Sequence, residues 1–287
     1  MSHATTTDLY EASMSLSYLQ EGMTDDVTFS LFVRDLPPGR GFPVSAGLEP
    51  DLDFLADFCV TPGDARDFTV ALGRPPHEVE PLMGLGFEGE GRAVPEGRID
   101  LPGEPLLEVT APLTHAQLVE TWLLSRMSHR TTVAAKSARC VLAAVGHPVV
   151  DFSLGRGHGP EAGMQTARAG ALDEYPIDHL VRSGAPIDVY AIGTKVGTSS
   201  DAPYLASAYK LAEYDGRPVM NPEPPVPTRS AQPSALTSEV RNRLEQGVEE
   251  RQGGFAGSVG SDLPREPQDA GCRKGPAKWK AAPANDL

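Results

Sequence analysis

The chain has 287 residues, which is long enough for two domains, but 29 glycines, 27 prolines and a 40% hydrophobic fraction suggest that less of it folds. Its net charge of −14 argues against general nucleic-acid binding, because an acidic surface repels phosphates. No apolar run approaches the roughly 18 residues of a membrane span, and the N-terminus lacks the pattern of a signal peptide, so a cytoplasmic protein is expected.

Residues 1–112 show mixed helix and strand patterns, and they are predicted to form an N-terminal α/β domain. A helix is expected to begin at Thr6 or Thr7, with Leu9 and Leu16 on its apolar face. The segment "VTFSLFVRDLP" alternates as a strand, and "GLEPDLDFLADF" has the pattern of an amphipathic helix. Short strands interrupted by glycine and proline are expected over residues 87–112.

Residues 113–220 open with the strongest helical pattern of the chain. Thr114, followed three residues later by Gln117, has the form of a capping box at its start. Two apolar runs, "HPVVDFSL" and "APIDVYAIGT", are predicted to be buried strands on either side of a helical stretch at 160–184. A hairpin turn is expected at Asp215-Gly216.

The composition changes after Asn221. Residues 221–287 begin with a proline-rich linker and end in small and polar residues, and we predict that they are mostly disordered. The three cysteines, Cys59, Cys140 and Cys272, form no CxxC pair, so no metal site is expected. Their sparse, odd number suits a reducing compartment in which a buried cysteine acts as a small hydrophobe.

The first candidate site is the glycine-rich segment "DFSLGRGHGPEAG", residues 151–163, directly after an apolar run. Glycines permit close backbone approach, and Arg156 offers a planar fork for phosphate or carboxylate. The alternative is an ordinary strand-to-helix turn with Arg156 in a surface salt bridge. His158 alone is more typical of a structural loop histidine.

The second candidate is "AIGTKVGTSSDAP", residues 191–203, where Gly193 and Thr194 end a predicted strand. Exposed backbone N–H groups and hydroxyls there can hold a phosphate monoester, although a capped turn has the same pattern. The stretches "GRGF" and "AAKSAR" are neutral, and Lys136 and Arg139 are expected on a solvated face. No Walker loop, HExxH or GxSxG motif is present, so no catalytic residue is identified.

The motifs together resemble the nicotinate phosphoribosyltransferase family over about residues 6–220. The stretches that carry this resemblance, in chain order, are "TDLYEASM", "FSLFVRDLPPGRGFPVSAGLE", "FEGEGRAVPEG", "EPLLEVTAPLTHAQLVETWLL", "TTVAAKSARCVLAA", "DFSLGRGHGPEAG", "GAPIDVYAIGT", "TSSDAP" and "YKLAEYDGRPVM". The resemblance implies an N-terminal α/β domain packed on an incomplete (β/α) barrel. It also implies synthesis of nicotinate mononucleotide, in NAD biosynthesis, from nicotinate and phosphoribosyl pyrophosphate with ATP and Mg²⁺.

The family forms dimers whose sites lie between two chains. The resemblance therefore implies that Phe152 and Tyr10 hold the nicotinate ring between them, with Tyr10 supplied by the partner subunit. Flat aromatic faces suit a pyridine ring. By the same resemblance, Arg156 faces the ribosyl phosphates or the carboxylate, and Gly193 and Thr194 hold the 5′-phosphate.

The chain departs from the family pattern in three ways. It has Gly155-Arg156 where the family carries an arginine pair, and "NPEPPVP" replaces a basic continuation after "GRPVM". The largest departure is the jump from "ARAG" to "ALDEYPIDHLVRSGAPID", because a complete barrel takes roughly 250 residues. The missing part includes the family's phosphorylated histidine, and His158 does not occupy that position.

These departures predict a truncated, incomplete barrel and very low turnover. Two alternatives stay open. The chain can be a non-catalytic remnant that associates with a full-length paralogue, as an alternative to a homodimer. It can also be the product of a gene-model or genomic deletion.

Overall fold

The computed structural model describes residues 3–152, 158–159, 162, 174–192, 196, 198–219 and 278–281. The helices of this part, in chain order, are α1 (Leu9–Gln20), α2 (Leu48–Asp57), α3 (Pro62–Leu72), α4 (Pro76–Val79), α5 (Leu113–Leu118), α6 (Glu120–Ala143) and α7 (Glu174–Arg182). The strands are β1 (Asp26–Asp35), β2 (Glu90–Ala93), β3 (Pro105–Pro112), β4 (Val149–Asp151), β5 (Tyr190–Ile192), β6 (Ala206–Tyr214), β7 (Arg217–Pro218) and β8 (Lys278–Ala281).

An open six-stranded sheet, in the order β7-β6-β1-β3-β2-β8, organises the first part of the chain. Strand β1 pairs antiparallel with both β3 and β6. Strands β6 and β7 come from residues 206–218, so this sheet draws on both predicted regions. The mixed helix and sheet architecture confirms the predicted α/β class.

A continuous apolar core lies between this sheet and the helices. Phe54 stacks on Trp122 with ring centroids 4.3 Å apart, which ties α2 to α6. Phe29 of β1 stacks on Tyr209 of β6 at 4.7 Å. Burial of these aromatic rings supplies much of the hydrophobic stabilisation, since each removes a large apolar area from water.

The long helical pattern after residue 112 forms two helices. Strand β3 runs directly into α5 with Pro112 at the N-cap, and Val119 separates α5 from α6. The predicted capping box is wrong, because the helix begins before Thr114 and the buried Thr114 hydroxyl has no hydrogen-bond partner in the described part of the chain. The observed capping box is formed by Thr61 and Asp64 at the start of α3.

A second sheet consists of the parallel strands β4 and β5, which confirms the two predicted strands. The predicted burial is wrong for β4, because Val150 is 39% exposed and its neighbours Val149 and Asp151 are only partly buried. Helix α7 lies within the predicted helical stretch at 160–184. A small core joins this unit to α6, and it includes Val133, Cys140, Ile177 and Tyr190. In the described residues, these two strands are the barrel-like part of the protein.

The predicted hairpin turn is confirmed, since Asp215 and Gly216 connect β6 to β7 with φ angles of 46° and 67°. Two other predictions need correction. Cys59 is disulfide-bonded rather than reduced, whereas Cys140 remains a buried thiol. The tail was predicted to be mostly disordered, but its residues 278–281 form strand β8, which runs parallel to β2. The sequence of these four residues did not indicate a strand. The rest of that tail lies outside the described residues.

No helix in the described ranges is both long and apolar enough to cross a membrane.

The close approach of Gly89 to β3 generates a stability prediction. A Cβ at Gly89 would lie 2.6 Å from the Thr110 carbonyl oxygen and 2.7 Å from the Ala111 Cβ. Because backbone must shift to relieve this overlap, Gly89→Ala should lower the free energy of unfolding by about 1–3 kcal/mol in urea denaturation. Gly41→Ala is the control, since its Cβ would meet nothing within 4 Å. Equal unfolding midpoints for the two variants would contradict the expected clash.

Candidate functional site

The carboxyl ends of β4 and β5 lie side by side. The parallel register pairs Asp151 with Ile192, the residues that immediately precede Phe152 and Gly193. Phe152 is 61% exposed, which is unusual for a large aromatic residue. Ligands of α/β folds bind beyond the carboxyl ends of strands, so this edge is the structural candidate for a site.

Three of the five predicted binding residues, Arg156, Gly193 and Thr194, lie outside the described residues. Their roles stay predictions. His158 is exposed in the described part, and nothing there gives it a chemical role. The structure therefore places Phe152 and Tyr10 alone from the predicted set.

Tyr10 lies on α1 and borders an open groove of about 380 Å³. The side chain is 50% exposed, and its hydroxyl donates to Glu120 Oε1 at 3.4 Å. Charged side chains of both signs line the groove, namely Arg34, Lys210 and Glu120. Phe152 is not among the residues that line it. Within one chain, this groove therefore includes one of the two predicted ring-binding aromatics.

A buried carboxyl group, that of Glu11, and a partly buried one, that of Glu120, lie near Tyr10. Gln117 Nε2 donates to Glu120 Oε2 at 2.7 Å, and the Thr121 hydroxyl donates to Glu11 Oε1 at 2.5 Å. Burial, with the neighbouring Glu11 charge, raises the pKa of Glu120 to about 7. Burial also raises the pKa of Glu11 and, together with Glu120, that of the Tyr10 hydroxyl. The Tyr10 hydroxyl therefore stays protonated, and the groove has a carboxyl group that titrates near neutral pH.

The stretches "GRGF" and "AAKSAR", which have no sequence signal for a site, contribute two buried cations to one ion cluster. Arg40 donates to Asp201 through Nε at 3.2 Å and Nη2 at 3.1 Å, and Lys136 Nζ lies 3.1 Å from Asp201 Oδ1. Arg40 Nη2 also donates to the Ser199 hydroxyl at 2.7 Å, which in turn donates to the Ala202 carbonyl at 2.7 Å. The cluster joins the turn at 39–42 and helix α6 to the connection between β5 and β6.

The prediction that Lys136 lies on a solvated helix face is therefore wrong, because this residue is only 1% exposed. Arg139 donates to the Gly39 carbonyl and so holds the same turn. An isolated lysine among alanines is typical of a solvated helix face. Its partner Asp201 lies far along the chain, so local sequence contained no signal for the pair.

The pKa of Asp201 reflects this environment. Burial alone would raise the pKa, but hydrogen bonds and charges from Arg40 and Lys136 overcome that effect and lower it to about 2. Asp201 is therefore ionised at all ordinary pH values and neutralises part of the buried positive charge.

Among the described residues, no group of three or more His, Cys, Asp or Glu side chains could hold a metal ion. ATP and Mg²⁺ stay expectations from the resemblance.

Comparison with known proteins agrees with this architecture. The model of the nicotinate phosphoribosyltransferase (NAPRTase) N-terminal domain matches residues 5–128. Nicotinate phosphoribosyltransferase pncB2 of Mycobacterium tuberculosis is 41% identical over 167 residues, which are 58% of this chain and 36% of that protein. The Bacillus subtilis nicotinate phosphoribosyltransferase is 35% identical over 190 residues, covering 66% and 39%.

Solved structures show the same relationship. Human nicotinic acid phosphoribosyltransferase superposes with a TM-score of 0.50 at 34% identity, covering 66% of this chain and 39% of that chain. Nicotinate-nucleotide pyrophosphorylase from Pyrococcus furiosus superposes with a TM-score of 0.57 over 78% of each chain. Its 14% identity makes it evidence for the fold alone.

The fold and these matches define a protein built like the pyridine phosphoribosyltransferases, with an N-terminal α/β domain followed by barrel-type strands. The chain belongs to the nicotinate phosphoribosyltransferase family as a partial member. It spans 36–39% of the length of the two bacterial relatives.

The ion cluster of Arg40, Lys136 and Asp201 leads to a prediction about stability. Asp201→Asn leaves Arg40 and Lys136 without their carboxylate, so the free energy of unfolding should fall by about 2 kcal/mol at pH 7. The loss is below that of a fully buried pair because the Asp201 side chain keeps 29% exposure. The pKa of Asp201 is depressed in the folded protein, so its carboxylate stabilises the fold above pH 4 and loses this effect as the pH falls toward 2. The difference in unfolding free energy between wild type and Asp201→Asn should therefore disappear over that range.

Asp178→Asn is the matched control, because Asp178 forms an exposed i,i+4 pair with Arg182. This variant should change stability by less than about 0.5 kcal/mol. Thermal unfolding across the pH range checks both variants, and a difference for Asp201→Asn that persists undiminished at pH 2 would contradict the assignment.

Proposed function

We propose that the chain binds nicotinate and phosphoribosyl pyrophosphate at the ends of β4 and β5, as a partial enzyme of NAD biosynthesis. The observation that supports this most directly is the 61% exposed Phe152 at the end of β4, beside the end of β5. An exposed aromatic ring at adjacent strand ends offers a flat face to a pyridine ring. The names of the relatives supply the substrate class.

In this proposal the side chains have separate tasks. Phe152 covers one face of the nicotinate ring, and Tyr10 covers the other. Arg156 binds a carboxylate or phosphate oxygen, and Gly193 and Thr194 bind the 5′-phosphate of the ribose through backbone N–H groups and a hydroxyl. These groups orient the ring nitrogen toward the ribose carbon from which pyrophosphate leaves.

Tyr10 acts across a subunit interface in this proposal. The groove beside Tyr10 is not lined by Phe152, so one chain does not place both rings in that groove. Leu9, Tyr10 and Met14 are 46%, 50% and 38% exposed and form an apolar face on α1. A symmetric homodimer would cover this face and supply Tyr10 to the strand ends of the partner.

Turnover is expected to be very low. The described residues contain two barrel-type strands, whereas a closed barrel has eight. Catalysis requires groups that stabilise charge developing in the transition state, beyond those that bind the ground state. We therefore expect binding of nicotinate to persist and formation of nicotinate mononucleotide to be slow.

The proposal predicts a loss of nicotinate affinity when either ring is removed. Phe152→Ala and Tyr10→Ala should each raise the dissociation constant by roughly tenfold in calorimetric titration, the equivalent of one ring contact. Val70→Ala, at an 83% exposed position on α3, is the control and should bind like wild type. Unchanged affinity in Phe152→Ala would remove the basis of the proposal.

A mixture of the two variants tests the shared site within the same experiment. A dimer of one Phe152→Ala chain and one Tyr10→Ala chain has one intact site. Random assortment would therefore restore wild-type affinity to about a quarter of the sites. No restoration on mixing would place both rings in sites within single chains and contradict the cross-subunit arrangement.

The second candidate is a non-catalytic partner of a full-length relative. The observation that favours it is the retained apolar face of α1 in a chain that spans little more than a third of its relatives. Tyr10 could then complete a site whose barrel belongs to the longer chain.

Co-expression tests this candidate. The chain should co-purify with a full-length paralogue, and Leu9→Ala combined with Met14→Ala should reduce the recovered complex several-fold by removing buried apolar area. A species that stays strictly monomeric in sedimentation, alone and with the paralogue, would exclude it. Resequencing of the locus distinguishes both candidates from a deletion artefact.

A further inference from the structure

Glu120 is the first residue of α6, and it lies where α1, α5 and α6 meet. Its Oε2 atom accepts a hydrogen bond from Gln117 Nε2 of α5 at 2.7 Å, and its Oε1 atom accepts one from the Tyr10 hydroxyl of α1 at 3.4 Å. Gln117 is only 2% exposed, so the surrounding core fixes its amide. Through Glu120, the half-exposed Tyr10 ring is therefore linked to a buried group on another helix.

The two hydrogen bonds of Glu120 differ in strength. A distance of 2.7 Å is typical of a charge-assisted bond, whereas 3.4 Å is near the limit at which a hydroxyl bond still forms. So long a bond depends on the negative charge of its acceptor, because a neutral carboxyl group attracts a hydroxyl hydrogen more weakly. The hydroxyl remains a donor near neutral pH, since burial and the carboxyl groups of Glu120 and Glu11 raise the pKa of Tyr10. The charge of Glu120 therefore decides how firmly the ring is held.

Glu11, the other carboxyl group near Tyr10, has a separate task. The residue is fully buried, and its two oxygens accept hydrogen bonds from the Thr121 hydroxyl of α6 and from the Thr7 hydroxyl ahead of α1. These bonds join the start of α1 to α6 inside the protein. Glu120, in contrast, lines the open groove together with Tyr10, so protons from solvent reach it directly.

The surroundings of Glu120 set the pH at which its charge changes. Burial, followed by the charge of Glu11, raises the pKa of Glu120 to about 7, while the hydrogen bonds from Gln117 and Tyr10 act in the opposite direction. Glu120 is therefore mostly ionised at pH 8 and mostly neutral at pH 6. The titratable and charged groups that face it or line the same groove are Asp8, Tyr10, Glu11 and Tyr18 on or beside α1, Arg34 on β1, and Tyr209 and Lys210 on β6.

We propose that Glu120 is a proton-dependent positioning residue for Tyr10, whose ring it holds in one orientation while its carboxylate is ionised. Protonation of Glu120 from solvent weakens the hydrogen bond and lets the exposed ring turn about its side-chain torsions. Glu120 acts on a ligand through Tyr10. The consequence for nicotinate rests on the proposed function, whereas the link between Tyr10 and Glu120 does not.

The consequence for binding follows from the ordering of the ring. A Tyr10 ring that is free in several orientations must be ordered when it covers a pyridine ring, and that ordering opposes binding. A ring that Glu120 already holds avoids this loss. Nicotinate should therefore bind several-fold more weakly at pH 6 than at pH 8.

The first test observes Tyr10 without any ligand. In protein labelled with ¹³C at tyrosine Cζ, the Tyr10 resonance, assigned by its loss in Tyr10→Phe, should shift with a midpoint between pH 6 and 8. Glu120→Gln, which has the same shape and no charge to lose, should abolish this transition. Glu21→Gln is the matched control, because Glu21 is exposed at the other end of α1, and it should keep the transition. The 77% exposed Tyr204 is the internal reference.

A second variant keeps the test decisive if Glu120→Gln does not fold. Gln117→Leu removes the hydrogen bond that favours the ionised carboxylate, so the midpoint of the Tyr10 transition should move to higher pH. A Tyr10 resonance that does not titrate in the wild type would overturn the proposal. A transition that survives unchanged in Glu120→Gln would also overturn it, and would assign the titrating group to Glu11.

The second test measures the dissociation constant of nicotinate by calorimetry at pH 6 and pH 8. The wild type should bind several-fold more weakly at pH 6, and Glu120→Gln should bind equally at the two pH values, near the weaker value of the wild type. An equal pH response in wild type and Glu120→Gln would overturn the positioning role. A Tyr10 transition that requires Glu120 in a protein that binds no nicotinate would support the link and contradict the proposed function alone.

Discussion

Strand β6 returns to the first strand of the chain, where residues 206–214 pair antiparallel with β1. The part of the chain between β3 and β6 must therefore form a long excursion that begins and ends on the same sheet. Helix α6 and the β4–β5 pair are therefore held beside the N-terminal domain at both ends of the excursion. Loop-closure entropy opposes such a long-range contact. Stacking of Phe29 on Tyr209 stabilises the β1–β6 pairing and offsets part of that entropy.

The ion cluster of Arg40, Lys136 and Asp201 acts at the other end of the same excursion. It fastens the connection after β5 to α6 and to the turn at 39–42. The connection that follows β5 is thus attached to α6, although the sheet that β4 and β5 form has only two strands. The adjacent ends of β4 and β5 are set by their parallel pairing, and the ion cluster holds the chain that follows β5.

The two exposed aromatics lie in different settings. Tyr10 is on α1, where partial burial and the neighbouring carboxyl groups of Glu120 and Glu11 raise its pKa, and Phe152 follows a strand end. In the proposed site, a second chain brings the two rings together. The exposed apolar side chains of α1 give that second chain a surface to cover.

Periodicity in the sequence was sufficient to predict α1, α2, β1, the β4 and β5 strands and the Asp215-Gly216 hairpin, because each depends on local spacing and turn chemistry. The family was likewise readable from the order of the motifs, and the comparisons confirmed it. Only the tertiary structure decided the burial of Lys136, the disulfide bonding of Cys59 and the position of β8 in the sheet. These features depend on partners far away in the sequence, and a local pattern contains no information about which distant residue arrives opposite it.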